Sequence, residues 1–360
     1  MKLSLKLLAI FSLLLTVYSC GNYSDDDGMG GGDQSGNVDD CLDLGDAQLK
    51  LTIQDSYTTL PGQVSVFFKV TDIDGTPVPN LKAENFKIYE KGRNDDCFNV
   101  ISASESKARI SPNEQIFNNN TFLVLDLSNS VLSSSLDELK DASVSFIDNV
   151  MPDDASDSFK MGIYWFDGED ELHMLNDLTS DKTALINAIN GITTDISKDP
   201  STDLYGAVIK ATDLAEKTVK DNSTDDVIAA GSVVIFTDGT DQASRYKESD
   251  ALKKVDNAND NISFFSIGLG SEIDEDVLQK IGKTSSVFAS NKEELEDTFN
   301  DISDKVSKLA RSFYLFEYCS PKRDGSGKNQ LVIQAILGNM QGAVQTEFDA
   351  TGFTSGCSGE

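Results

Sequence analysis

Three short polar segments carry residue types that could do chemistry together: Asp126-Leu127-Ser128-Asn129-Ser130, Thr202 within Ser201-Thr202-Asp203, and Thr237-Asp238-Gly239. They offer two carboxylates, Asp126 and Asp238, and three hydroxyls, Ser128, Ser130 and Thr202, with no His or Cys among them. An all-oxygen set suits a hard divalent cation, Mg²⁺ or Mn²⁺. With neutral hydroxyls making up most of its ligands, such an ion stays electron-poor and can accept an acidic group from another molecule. Taken singly the segments say little. Asp126 and Ser130 could merely cap a helix, and Asp238-Gly239 could merely turn the chain. Their order, each after the appropriate element, is the specific feature.

The elements that must position them lie in residues 119–310. Phe122-Leu123-Val124-Leu125 and Val233-Val234-Ile235-Phe236 are continuous apolar runs, as expected for strands covered on both faces. Further strands are expected over Met161–Phe166, Leu172–Leu175, Ile262–Ile267 and Val287–Ala289. The apolar spacing of Leu132, Leu136, Leu139, Phe146, Ile147 and Val150 predicts one helix closed by Pro152. Helices are also expected near 181–190, 203–219, 246–257 and 277–281. A final helix carries Leu295, Phe299, Ile302, Val306 and Leu309 at three-four spacing. Strands alternating with helices predict an α/β fold with a doubly wound, mainly parallel sheet, whose ligands bind at the carboxyl ends of the strands. All three polar segments fall at such ends.

On this pattern, D-x-S-x-S, a mid-chain Thr and a later T-D-G resemble a von Willebrand factor type A domain with its metal-ion-dependent adhesion site. The resemblance covers about 119–310, and Ser263–Gly270 also resembles a late strand of that family. It implies that Asp126, Ser128, Ser130, Thr202 and Asp238 hold a divalent cation. The hydroxyls would touch the ion directly, the aspartates often through water, and a Glu or Asp carboxylate of a partner would take the free position. A rival resemblance is to haloacid-dehalogenase-type phosphatases, where Asp126 would be a nucleophile assisted by Mg²⁺. That family needs a second Asp two residues on, and Ser128 stands there instead. A non-catalytic binding or adhesion protein is therefore the expectation, with an envelope assembly or scaffolding role as the alternative.

The flanks read as β-structure. Alternation at Leu49, Leu51 and Ile53, the run Val64–Val70, and Phe86–Tyr89 place strands in 48–118. After 311, strands are expected over Phe313–Tyr318, Leu331–Ile336 and Val344–Phe348. Three strands are too few to stand alone. They are expected to join those of 48–118 in a small sandwich-like domain, with the α/β domain inserted between its halves. The segments around Asp74-Gly75, Asn85-Phe86, Glu90-Lys91-Gly92 and Tyr318-Cys319-Ser320-Pro321 resemble β-segments that accompany such domains in some bacterial envelope proteins.

The N-terminus reads as an address. Two lysines precede an apolar run over Leu7–Val17, too short for a membrane span. Val17-Tyr18-Ser19-Cys20 resembles the bacterial lipoprotein box, which implies a signal peptide over 1–19 and a lipid anchor at Cys20. Residues 21–47 hold eight Asp and no base among many glycines, so 20–47 is expected to be a self-repelling tether. Ser24-Asp25-Asp26-Asp27 resembles a signal that sends some lipoproteins to the outer leaflet of the outer membrane, and is equally explained as linker solvation. An outer-membrane lipoprotein, exposed at the surface on the first of those readings, is the expected location.

Four other cysteines, Cys41, Cys97, Cys319 and Cys357, suggest two disulfides with three possible pairings. Cys319 and Cys357 bracket one segment, which favours that pair and leaves Cys41 with Cys97. Across the chain, 60 Asp+Glu against 30 Lys+Arg give a formal charge of −30, which argues against nucleic acid or anionic lipid as a partner. The single His, His173, makes a multi-His zinc site impossible and is expected on a strand face. Asp167, Glu169 and Asp170 read as a solvated acidic turn that could rim the site.

Overall fold

The computed structural model describes residues 38–102, 109–111, 117–223, 227–322, 327–354 and Cys357. The expected signal peptide, Cys20 and the expected tether as far as residue 37 lie outside the described residues. The tether expected to run to 47 is docked over its described part. Cys41 is bonded to Cys97, Asp39 pairs with Lys91 at 3.0 Å, and the Asp39 N–H donates to Gln345 Oε1 at 2.8 Å. A covalent bond and an ion pair hold a segment whose own composition would leave it free.

The N-terminal flank forms β1 (Leu49–Thr59), β2 (Gln63–Asp72), β3 (Phe86–Lys91), β4 (Asn99–Ile101) and β5 (Arg109–Ser111). The α/β part follows as β6 (Phe117–Asp126), α1 (Asn129–Ser134), α2 (Leu136–Val150), β7 (Phe159–Phe166), β8 (His173–Thr179), α3 (Lys182–Asn190) and α4 (Leu204–Asn222). It continues through β9 (Ile228–Thr237), α5 (Glu248–Asp256), β10 (Ile262–Leu269), α6 (Glu275–Ile281), β11 (Ser285–Ala289) and α7 (Leu295–Ala310). The chain ends in β12 (Phe313–Cys319), β13 (Lys328–Leu337) and β14 (Met340–Asp349).

Among the described residues the α/β sheet has the order β11-β10-β9-β6-β7-β8, parallel except where β8 runs against β7. Its faces alternate as a pleated strand must. Leu123 and Leu125 pack under α2, α3 and α7, while Phe122 and Val124 pack under α4, α5 and α6. The first layer is keyed by Phe299 of α7, 5.6 Å from Phe236 and 6.2 Å from Phe146 between ring centres. The single helix expected over 132–150 is broken at Ser135 (φ −140°, ψ 14°). Serine hydroxyls compete with the backbone there. Ser134 Oγ donates to the Ser130 carbonyl at 2.6 Å, and Ser133 Oγ does so at 3.4 Å.

The flanking strands form two four-stranded sheets, β1-β2-β12-β5 and β14-β13-β3-β4. The first is joined across the insertion by antiparallel pairing of β2 with β12, Phe316 opposite Val66. Sheet packs on sheet through Val66, Phe68, Tyr314, Phe316, Ile88 and Ile333. Cys319 and Cys357 are bonded, with Cα atoms 5.9 Å apart. Among the described residues no helix is long and apolar enough to cross a membrane.

Candidate metal-binding site

The chain folds β6 into the middle of the sheet, between β9 and β7. Its connection runs to β7 on one side, and its other neighbour is β9. That reversal opens a crevice at the carboxyl ends of β6 and β9. Asp126 ends β6 and Asp238 follows β9, so the two carboxylates converge because their strands are neighbours. Leu125 is registered opposite Phe236.

Asp126 is fully buried. Its Oδ1 accepts the Ser128 N–H at 2.9 Å and its Oδ2 accepts Thr237 Oγ1–H at 2.7 Å. Burial pushes its carboxyl up to about 7, and the nearby Asp238 adds to this, against the lowering effect of the Thr237 and Ser128 hydrogen bonds. Asp238 is half-buried, and its carboxyl is raised by burial and by Glu272. Ser130 Oγ donates to Asp238 Oδ1 at 2.8 Å and lies 3.2 Å from Ser128 Oγ.

Ser128 occupies the N-cap of α1 but makes no side-chain cap bond, and Asp126 bonds Ser128 rather than the helix. The capping role that would explain these residues without a ligand is thus not the one they perform. Their hydroxyls face each other and Asp238 instead.

Thr202 is buried immediately before α4. Its carbonyl accepts the N–H groups of Gln242 and Ala243 at 2.8 and 3.0 Å, which ties it to the loop after Asp238. The Pro200 carbonyl accepts the Asn129 N–H at 3.1 Å, which ties the same stretch to the D-x-S-x-S loop. All three segments therefore meet. Their donor set is two carboxylates and three hydroxyls, one of the carboxylates fully buried. The residues fit a hard divalent cation, which would be held by Asp126, Ser128, Ser130, Thr202 and Asp238.

The organising roles of two residues escaped the sequence reading. Thr237 fixes the Asp126 carboxylate; a hydroxyl ending an otherwise apolar strand was its signal. Asp167 was expected to be solvated and is instead fully buried. Its Oδ2 accepts Ser197 Oγ–H at 2.7 Å and the N–H groups of Lys198 and Asp199 at 3.2 and 3.3 Å, and its carbonyl accepts the Asp203 N–H at 2.8 Å. It pins the loop that presents Thr202. Gly168 allows the close approach, because a Cβ there would lie 2.0 Å from Ser201 Oγ.

The family model described as "von Willebrand factor type A domain" matches residues 120–305. Among solved structures, the chain is similar to BatB from Bacteroides thetaiotaomicron, at 20% identity over 54% of this chain and 100% of that one, with a TM-score of 0.41. It is also similar to a von Willebrand factor type A protein from Catenulispora acidiphila, at 10% identity over 85% of this chain and 74% of that one, TM-score 0.44. Manganese-loaded TRAP protein from Plasmodium vivax is 15% identical over 68% of this chain and 98% of that one, TM-score 0.40. No curated protein matches the sequence.

Proposed function

Since the chain belongs to the von Willebrand factor type A domain family, we propose that it is a non-catalytic binding protein whose Asp126, Ser128, Ser130, Thr202 and Asp238 form a metal-ion-dependent adhesion site. Mg²⁺ or Mn²⁺ held there supplies a Lewis-acidic position that grips a Glu or Asp carboxylate of a protein or other ligand. The single observation that carries this reading is the convergence of three loops. Ser130 Oγ bonds Asp238 at 2.8 Å and faces Ser128 at 3.2 Å, beside a fully buried Asp126 held by Ser128 and Thr237. Binding rather than hydrolysis is favoured because Ser128 stands where a second acid would be needed.

The sequence of residues 1–27 supports the rest of the proposal. The mature protein is anchored by lipid at Cys20 to the bacterial outer membrane, with the acidic stretch after it holding the binding domain away from the surface. The formal charge of −30 supports a role for the cation in admitting an acidic partner that the chain would otherwise repel.

The test is thermal melting of the full chain, stripped of metal, with and without Mg²⁺ or Mn²⁺. An ion at about one hundred times its dissociation constant stabilises the folded state by about 2.7 kcal/mol. For a single cooperative unit of about 300 residues that corresponds to a rise of roughly 4 °C. The rise should vanish in Asp238→Ala. No rise in the wild type, or an equal rise in the variant, overturns the assignment.

A further inference from the structure

The hairpin loop between β7 and β8 brings together Asp167, Glu169 and His173, one ligand atom from each lying within 4.8 Å of the others. None of these belongs to the cation site described above. His173 opens β8 directly across from Trp165 and stacks on its indole, ring centres 4.1 Å apart at 16°. The stack fixes the imidazole plane and aims Nε2 at the two carboxylates. That nitrogen is shielded from solvent and has no hydrogen-bond partner. It lies 3.5 Å from Glu169 Oε2 and 3.9 Å from Asp167 Oδ1, beyond good hydrogen-bond length in both directions. A buried polar nitrogen left this way is destabilising unless a ligand meets it.

The spacing suits a shared ion better than a direct pair. A tetrahedral ion with bonds near 2.1 Å keeps its ligand atoms about 3.4 Å apart. The carboxylate chemistry agrees. Asp167 Oδ2 is saturated by Ser197, Lys198 and Asp199, whereas Oδ1 accepts one bond, from the Glu169 N–H at 2.8 Å, and keeps a lone pair on the side facing His173. Glu169 is about two-fifths exposed, which leaves a direction open to water.

We propose that Asp167, Glu169 and His173 form a second metal site, selective for Zn²⁺ over Mg²⁺. One imidazole nitrogen and two carboxylate oxygens, with water completing the shell, suit a borderline ion, while the all-oxygen set at Asp126 suits a hard one. A zinc ion here would lock the loop that follows β7, whose Asp167 also pins the stretch carrying Thr202. The site is independent of the adhesion-site proposal and stands or falls separately.

The experiment titrates Zn²⁺ into the chelator-stripped full chain in a large excess of Mg²⁺, followed by calorimetry. The wild type takes up about one equivalent. His173→Gln and Glu169→Gln each lose that uptake or weaken it at least about tenfold. In chelator, His173→Gln melts close to the wild type, since loss of the stack on Trp165 is offset by removal of the unpartnered buried nitrogen. Asp238→Ala keeps the uptake. No zinc uptake in the wild type, undiminished uptake in His173→Gln, or uptake lost in Asp238→Ala would each overturn the assignment.

Discussion

Asp167→Asn tests whether the buried carboxylate really organises the Thr202 loop. The carboxylate accepts four bonds: the Glu169 N–H at 2.8 Å, Ser197 Oγ–H at 2.7 Å, and the Lys198 and Asp199 N–H groups at 3.2 and 3.3 Å. An amide of equal size keeps one acceptor oxygen. In its better orientation that oxygen serves Ser197, Lys198 and Asp199, and the new NH₂ opposes the Glu169 N–H. Three bonds then change from charged to neutral acceptors, at roughly 1 kcal/mol each, and one donor is left unpaired at about 1–3 kcal/mol. Relief of carboxylate burial offsets part of this. The net cost is about 3 kcal/mol, a fall in Tm of about 5 °C by melting in chelator. Because the same loop presents Thr202, the Mg²⁺ concentration giving half the stabilisation should rise about 10- to 100-fold. Asp154→Asn, at an exposed position, controls for the change of charge. A Tm within about 2 °C of wild type, together with an unchanged Mg²⁺ midpoint, would refute the reasoning.

Four other outcomes are expected. Phe299→Ala, which empties the space between Phe146 and Phe236, should cost about 3–5 kcal/mol in denaturant unfolding. Replacing Cys41 and Cys97 by Ser releases a loop with a sequence separation of 56 and should cost about 4 kcal/mol on the chain-entropy account, with no change in Mg²⁺ response. Tyr318→Phe removes the 2.6 Å donor to buried Glu90 and should cost about 1.5–3 kcal/mol, seen as a lower denaturation midpoint. Gly342→Ala would drive a Cβ to within 1.9 Å of the Leu49 carbonyl, so it should destabilise by more than about 1 kcal/mol, whereas Gly338→Ala meets no atom within 4 Å but pays for a φ of +60°.

How much of this was legible in the sequence depends on the range of the forces involved. β6 and β9 announced themselves through the apolar runs Phe122–Leu125 and Val233–Phe236, which are buried on both faces, although both strands begin earlier, β6 with the polar stretch Asn118–Thr121, and α7 announced itself because one wet face enforces three-four spacing. The residues proposed to hold the cation were visible because each sits where a strand or helix boundary could be read from its neighbours. The break at Ser135 was not visible, since it turns on whether three consecutive serines bond solvent or the Ser130 carbonyl. Nor was the burial of Asp167. Its partners at 197–199 are thirty residues away, and an acidic run ordinarily signals water. The docking of residues 38–47 was hidden for a related reason: composition reports the cost of ordering a segment but not the disulfide or the Asp39–Lys91 pair that offsets it.

The insertion has an energetic consequence that a two-domain description would miss. Within the sheet β1-β2-β12-β5, β2 and β12 carry apolar side chains on both faces. Phe68, Tyr314 and Phe316 point into the sandwich, while Phe67, Phe313 and Leu315 belong to the same core as α2 and α7 of the α/β domain. Phe67 is 1% exposed and stacks on Phe313 at 5.7 Å and 11°. β2 and β12 thus carry alternate side chains into two cores at once, so neither core can be lost while the other keeps its packing. Unfolding of the described chain should then be a single calorimetric transition. Phe67→Ala should cost about 3–5 kcal/mol and lower that transition as a whole, flank and α/β domain together. Two resolved transitions in the wild type, with Phe67→Ala moving only the one assigned to the β-sandwich, would show that the shared sheet does not couple them.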